Sequence, residues 1–247
     1  MHILLTVNAS WNVWNFRKSV VVALIERGHT VTVLAPHDEY VVELEKLGCR
    51  CVPLKMNAKG LNPLDELTLF LRFRRIFAGV RPDVILSYTI KNNIFGALAA
   101  KSLGIPFVPN VSGLGTGFLS GPVLQFAVEQ LYRLSFAKLA IVFFQNKDDR
   151  DLFTSRGLVQ QAQARLLPGS GIDLERFSER PLTDKNVPIF LLIARLLRDK
   201  GILEYVDAAR QIKATHPQAQ FQILGATGSE NRTSISDETV SGWVTRA

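Results

Sequence analysis

Short apolar runs alternate with amphipathic segments from the first residues to about residue 170, and this rhythm leaves the chain few architectures. "HILLTV", "TVTVLAP", "CRCVPL", "DVILSY", "IPFVPNV", "AIVFFQN" and "ARLLP" read as strands. Between them, "RKSVVVALIERGH", "DEYVVELEKLG", "PLDELTLFLRFRRIFAGVRP", "NNIFGALAAKSLG", "PVLQFAVEQLYRLSFAKL" and "KDDRDLFTSRGL" carry helix signals, with Gly28 and Gly48 as C-terminal stops. Strands separated by helical stretches of roughly 10–15 residues build βαβ units, hence a parallel sheet with helices on both faces. Six or seven strands are expected over residues 1–170. Ligands of such sheets sit beyond the carboxyl ends of the strands. The loops after "HILLTV", "DVILSY", "IPFVPNV" and "ARLLP" are therefore the ones to watch.

The rhythm breaks at "GSGIDLERFSERPLTDKNVP", a polar stretch of both charge signs with Gly and Pro at its ends. Residues 171–187 read as a linker. Over 188–247 the pattern restarts as strand "IFLLIA", helix "ILEYVDAARQIKATHP" and strand "QFQILG", followed by a polar tail. A parallel pair with one or two helices buries too little to stand alone. The expectation is an α/β protein with one complete parallel-sheet domain (1–170) and an incomplete second one (188–247).

Lys and Arg outnumber Asp and Glu by 29 to 22, a formal charge of +7. That balance favours anionic partners without choosing among nucleic acid, anionic lipid and phosphorylated small molecules. No nucleic-acid motif is present. The histidines, His2, His29, His37 and His216, show no metal spacing, so no metal is assigned. Cys49 and Cys51 point to opposite faces of a strand, which argues against a disulfide and for a reducing, cytosolic setting. The start lacks the basic n-region of a signal peptide, and the longest uncharged stretch, residues 102–128, is broken by Pro106, Pro109 and Pro122.

Arg195 ends an apolar run and Lys200 precedes an amphipathic helix pattern. Cations at a helix start oppose the helix dipole unless an anion is held there. "NVSGLGTGFLSG" brings Ser112, Gly113, Gly115 and Thr116 to the end of a strand, where glycines let backbone approach a phosphate or sugar; the dinucleotide fingerprint fails, because its third glycine would fall on Phe118. The loop "NASWNVWNFRKS" offers Ser10, Asn12 and Asn15 among bulky aromatics, which suits a sugar or an amphiphilic acceptor as well as a plug seating the next helix. Asp148, Asp149 and Asp151 read as the solvated first turn of a helix. In "FLRFRRIFAGVR", Phe70, Phe73, Ile76, Phe77 and Val80 form a core face, and Arg72, Arg74 and Arg75 either a solvated or a lipid-facing one.

Together "NASWNVWNFRKSVVVALIERGHTVTVLAP", "SYTIKNNIFGALAAKSLGIP", "FFQNKDDRDLF", "LLPGSGIDLERF" and "FLLIARLLRDKGILEYVDAARQIK" resemble the retaining glycosyltransferases of family 4, which have the GT-B fold. More narrowly, the chain is similar to those that build capsule, O-antigen or glycoprotein glycans on polyprenyl diphosphate lipids. The resemblance implies two Rossmann-like domains across a cleft, acceptor on the first and nucleotide sugar on the second. It implies that Arg195 and Lys200 neutralise the donor diphosphate without a metal or other cofactor, and that Ser10, Asn12, Asn15, Ser112, Gly113, Gly115 and Thr116 line the acceptor side. The implied partners are a UDP-sugar and a lipid-linked acceptor, at the cytoplasmic face of the plasma membrane, with no nucleic acid. The family's paired glutamates lie beyond Ala247, so a C-terminally truncated and inactive transferase is expected. A non-catalytic membrane-associated binding module and a GT-B nucleotide-sugar epimerase are the alternatives.

Overall fold

A computed structural model describes residues 1–57, 62–114, 121–181, 187–226 and 233–244. The chain forms two compact units, Met1–Ser178 and Glu179–Ala247, which divide inside the segment read as a linker.

In the first unit seven strands form one parallel sheet: β1 (His2–Thr6), β2 (Thr30–Ala35), β3 (Arg50–Pro53), β4 (Val84–Tyr88), β5 (Phe107–Val111), β6 (Val142–Phe144) and β7 (Ala164–Leu166). Their order is β3-β2-β1-β4-β5-β6-β7. The winding direction reverses between β1 and β4, the switch point beyond whose carboxyl ends such sheets bind ligands. Side chains alternate across the sheet. Ile3 and Leu5 join a core with α1 (Ser10–Phe16), α2 (Lys18–Glu26) and α3 (Val41–Lys46) through Val13, Val21 and Leu44. Leu4 faces the other core, with α4 (Pro63–Val80), α5 (Ala97–Leu103), α6 (Pro122–Phe136) and α7 (Lys147–Ser155).

Local chemistry sets the helix ends. Asn62 accepts from the Leu64 amide at 3.1 Å, Pro63 occupies the first turn of α4, and Leu69, Phe73 and Phe77 repeat every fourth residue to make its buried stripe. Asn146 and Asp149 cap α7 reciprocally: Asn146 Oδ1 accepts from the Asp149 amide at 2.7 Å, and Asn146 Nδ2 donates to Asp149 Oδ2 at 2.8 Å. Asp149 is therefore buried, not solvated as the sequence suggests.

The second unit pairs β8 (Ile189–Ile193) with β9 (Gln220–Leu224) in parallel, followed by α9 (Asp237–Val244), with α8 (Ile202–Thr215) as the crossover. Leu196, Ile202 and Ile235 are its buried core. The Tyr205 hydroxyl fastens α8 to the strands, donating to the Phe190 carbonyl at 2.8 Å and accepting from the Gln222 amide at 3.1 Å. No helix among the described residues is long and apolar enough to cross a membrane.

Candidate functional site

The carboxyl ends of β1, β4 and β5 converge on a polar cluster. Register pairs Thr6 with Ser87 across β1 and β4, and Tyr88 with Asn110 across β4 and β5. Directly after β4, Thr89 adopts φ 72°, a left-handed conformation that a β-branched residue adopts only under constraint. The chain then enters a single wide turn of π-helix, Asn92–Gly96, that leads into α5. Such turns concentrate at functional sites.

This geometry turns two successive asparagines inward. Thr89 Oγ1 donates to Asn92 Oδ1 at 2.8 Å, and Asn92 Nδ2 donates to Thr6 Oγ1 at 2.7 Å. Asn93 Nδ2 donates to the Asn110 carbonyl at 2.9 Å. Three polar atoms here, Ser87 Oγ, Asn93 Oδ1 and Asn110 Oδ1, are buried without a hydrogen-bond partner. A buried polar group left unpaired costs about 1–3 kcal/mol, and among the described residues three of them gather at the strand switch. The sequence named the loop after "DVILSY" but none of these side chains.

Ser10, Asn12 and Asn15, expected on a loop, lie on α1. The sequence lacks a capping side chain at Ala9, but Asp38, from beyond β2, accepts from the Trp11 amide at 2.9 Å and starts the helix from outside. That carboxylate occupies the helix N-terminus where a dinucleotide fold would hold a phosphate. Ser10 is spent on the Pro36 carbonyl at 3.2 Å, and Asn15 donates to the Trp11 carbonyl at 2.9 Å. Of the three, Asn12 keeps a buried, unpartnered oxygen. Ser112 and Gly113 follow β5 directly; Gly115 and Thr116 lie outside the described residues.

In the second unit the two cations do not flank α8 as closely as the sequence suggests. Arg195 follows β8, and a 3-10 turn, Arg198–Lys200, and Gly201 at φ 72° intervene before Ile202 starts the helix. The turn is held by segment 233–235: the Arg198 amide donates to the Thr233 carbonyl at 2.9 Å and the Ile235 amide to the Leu196 carbonyl at 2.9 Å. Arg195 and Lys200 are exposed, and neither forms an ion pair among the described residues. Gly201 brings no side chain to cap α8, while Glu204 in its first turn offsets part of the positive end of the helix dipole. Sequence reasoning missed the acid beside them. Asp199 is held below the ordinary carboxylate range, first by the hydroxyl of Thr233 at 2.7 Å, then by its own backbone amide and by the charges of Lys200 and Arg195. No group of three or more His, Cys, Asp or Glu side chains among the described residues is placed to hold a metal ion.

With these sites in view, the comparisons with known proteins carry weight. Over 235 residues the chain is 29% identical to an N,N'-diacetylbacillosaminyl-diphospho-undecaprenol alpha-1,3-N-acetylgalactosaminyltransferase of Campylobacter jejuni; the match covers 88% of this chain and 61% of that protein. Among solved structures, the fold is similar to sucrose-phosphate synthase from Thermosynechococcus elongatus (TM-score 0.72, 16% identity, all of this chain and 67% of that one). It is similar also to Anabaena HepE in complex with UDP-glucose (TM-score 0.70, 16% identity, 100% and 66%) and to a glycosyltransferase from Rickettsia africae (TM-score 0.66, 19% identity, 99% and 66%). The fold is of the GT-B type. The model of the glycosyl transferase 4-like domain matches residues 13–169, more than half of the chain. The chain therefore belongs to the glycosyl transferase 4-like family.

Proposed function

We propose that this chain serves the transfer of a sugar from a UDP-sugar to a lipid-linked, diphosphate-bearing acceptor. The second unit (Glu179–Ala247) takes the donor and the first (Met1–Ser178) the acceptor. One observation carries the reading: Arg195 and Lys200 are exposed cations without an ion-pair partner among the described residues, beside a helix start without a capping side chain, just after a parallel strand. That combination suits a diphosphate. The Campylobacter relative's name, which specifies a diphospho-undecaprenol acceptor, supports the acceptor class. On the acceptor side, Asn12, Ser87, Asn93 and Asn110 offer polar atoms without a partner among the described residues to sugar hydroxyls, with Ser112 and Gly113 directly after β5.

A lipid-linked acceptor requires approach to a membrane. Exposed Leu64, Leu67 and Leu71 on α4, with Arg74 and Arg75 beyond them, and exposed Val123 and Phe126 on α6 suit the cytoplasmic leaflet's anionic surface. Titration of the full chain with UDP by calorimetry tests the donor half. Arg195→Ala and Lys200→Ala are each expected to weaken UDP by about tenfold; unchanged affinity in both overturns it. Flotation with anionic against neutral vesicles tests the membrane half.

A further inference from the structure

The residue at which α1 gives way to α2 carries a charge that the fold does not neutralise. Arg17 is only 5% exposed. Its Nη1 donates to the Phe16 carbonyl at 2.8 Å and to Ser170 Oγ at 2.5 Å, and its guanidinium lies over the Tyr88 ring, 4.4 Å from the centroid. Its Nε is buried without a hydrogen-bond partner among the described residues. No carboxylate pairs with it among the described residues. Buried charges are ordinarily paired. The carbonyls that end α1 and the ring of Tyr88 offset the charge only in part. Burial accordingly lowers the Arg17 pKa, with Tyr88 opposing; burial also keeps the Tyr88 phenol protonated.

The neighbours place this charge at the ligand-binding end of the sheet. Tyr88 is the last residue of β4 and precedes the strained Thr89; Ser170 lies in the loop after β7. Arg17 also stands at the N-terminus of α2, whose first turn holds no acidic residue. A cation there works against the helix dipole, and an anion would satisfy the dipole and the guanidinium together.

The geometry points to an anion subsite in the first unit, in which the Arg17 Nε–H binds a phosphate oxygen beside the hydroxyl of Ser170. The ligand class is a diphosphate ester. Which molecule brings it rests on the proposed glycosyl transfer, whose donor and lipid-linked acceptor both carry diphosphate. Arg195 and Lys200 belong to the other unit.

The test uses the full chain, labelled with nitrogen-15, and inorganic diphosphate as the probe. The Arg17 Nε–H resonance, assigned by its proximity to the Tyr88 ring protons, is expected to shift and to exchange more slowly with water as diphosphate is added. The response is expected to persist in an Arg195→Ala, Lys200→Ala double variant, and Arg17→Gln is expected to weaken diphosphate by about tenfold in that background. An unmoved Arg17 resonance at saturating diphosphate overturns the proposal, and this reading needs no variant to fold. Farnesyl diphosphate and UDP, added separately, distinguish a lipid-linked source from a nucleotide one. UDP affinity unchanged in the Arg195→Ala, Lys200→Ala double variant, with the Arg17 response intact, would sink the donor assignment and leave this subsite standing.

Discussion

A Cβ on residue 225 would stand 2.0 Å from the carbonyl oxygen of Ala194, so only glycine fits where the end of β9 crosses the end of β8. The Ala194 amide donates to the Leu224 carbonyl at 3.1 Å, and Arg195 leaves the strand at once. Gly225→Ala must push the two strand ends apart. We expect a loss of about 1–3 kcal/mol in the second unit, seen as faster amide exchange in Ile189–Ile193 and Gln220–Leu224, with the first unit's exchange unchanged. Equal exchange in the variant would mean the strands part without strain.

If Arg195 and Lys200 hold an anionic ligand as proposed, Asp199 competes with it for them. Asp199→Asn keeps a side-chain oxygen for the Thr233 hydroxyl and removes the charge. UDP should bind about twofold to fivefold more tightly to this variant at low salt, and the gain should fade at high salt. Calorimetry at two ionic strengths reads both outcomes.

Burial pushes the Cys49 thiol up to about 11 and the Cys51 thiol up to about 12, from an ordinary 9.0. The folded chain then holds these protons more firmly than the unfolded one. The resulting stability is fully present below pH 9.0 and is lost as the pH rises through 11 toward 12. Denaturant midpoints should fall over that window more steeply in the parent than in Cys51→Ala. At about pH 8 both thiols should react slowly with a disulfide reagent until the protein is unfolded.

Asn92 joins two strand ends through one amide, accepting from Thr89 and donating to Thr6. Asn92→Ala leaves the buried Thr6 hydroxyl and the half-buried Thr89 hydroxyl without their partner. A loss of about 1–3 kcal/mol is expected by denaturation, against a change within about 0.5 kcal/mol for Asn15→Ala on the exposed side of α1. A small effect at Asn92 would show that water replaces the amide.

The sheet was legible because its strands are short apolar runs between helices with ordinary signals, such as Asn62-Pro63 before α4 and Gly48 after α3. The start of α1 was not, because the residue that caps it, Asp38, lies 27 positions from the amide it holds. Arg195 and Lys200 stood out as cations in an electrostatically awkward place, but the 3-10 turn and the acid between them come from long-range hydrogen bonds to segment 233–235. Thr89 gives no local signal: a β-branched residue is the last one expected at positive φ. Arg17 reads in sequence as one more basic residue in "NFRKS", and only the packing of Tyr88 and Ser170 around it reveals a buried charge.

The wide turn at Asn92–Gly96 acts on the helix it begins as a phase shifter. One extra residue in a turn rotates everything after it by about 100°. Asn92 and Asn93 can thus both face the strand ends while Ala97, Ala99 and Ala100 still meet the hydrophobic core. The turn thus serves two surfaces at once: Asn92 and Asn93 tie the strand ends together, and Ile94 packs with Ala97, Ala99 and Ala100 in the core. A substitution at either asparagine is felt at the strand ends, while the alanine surface on which the sheet packs keeps its own contacts.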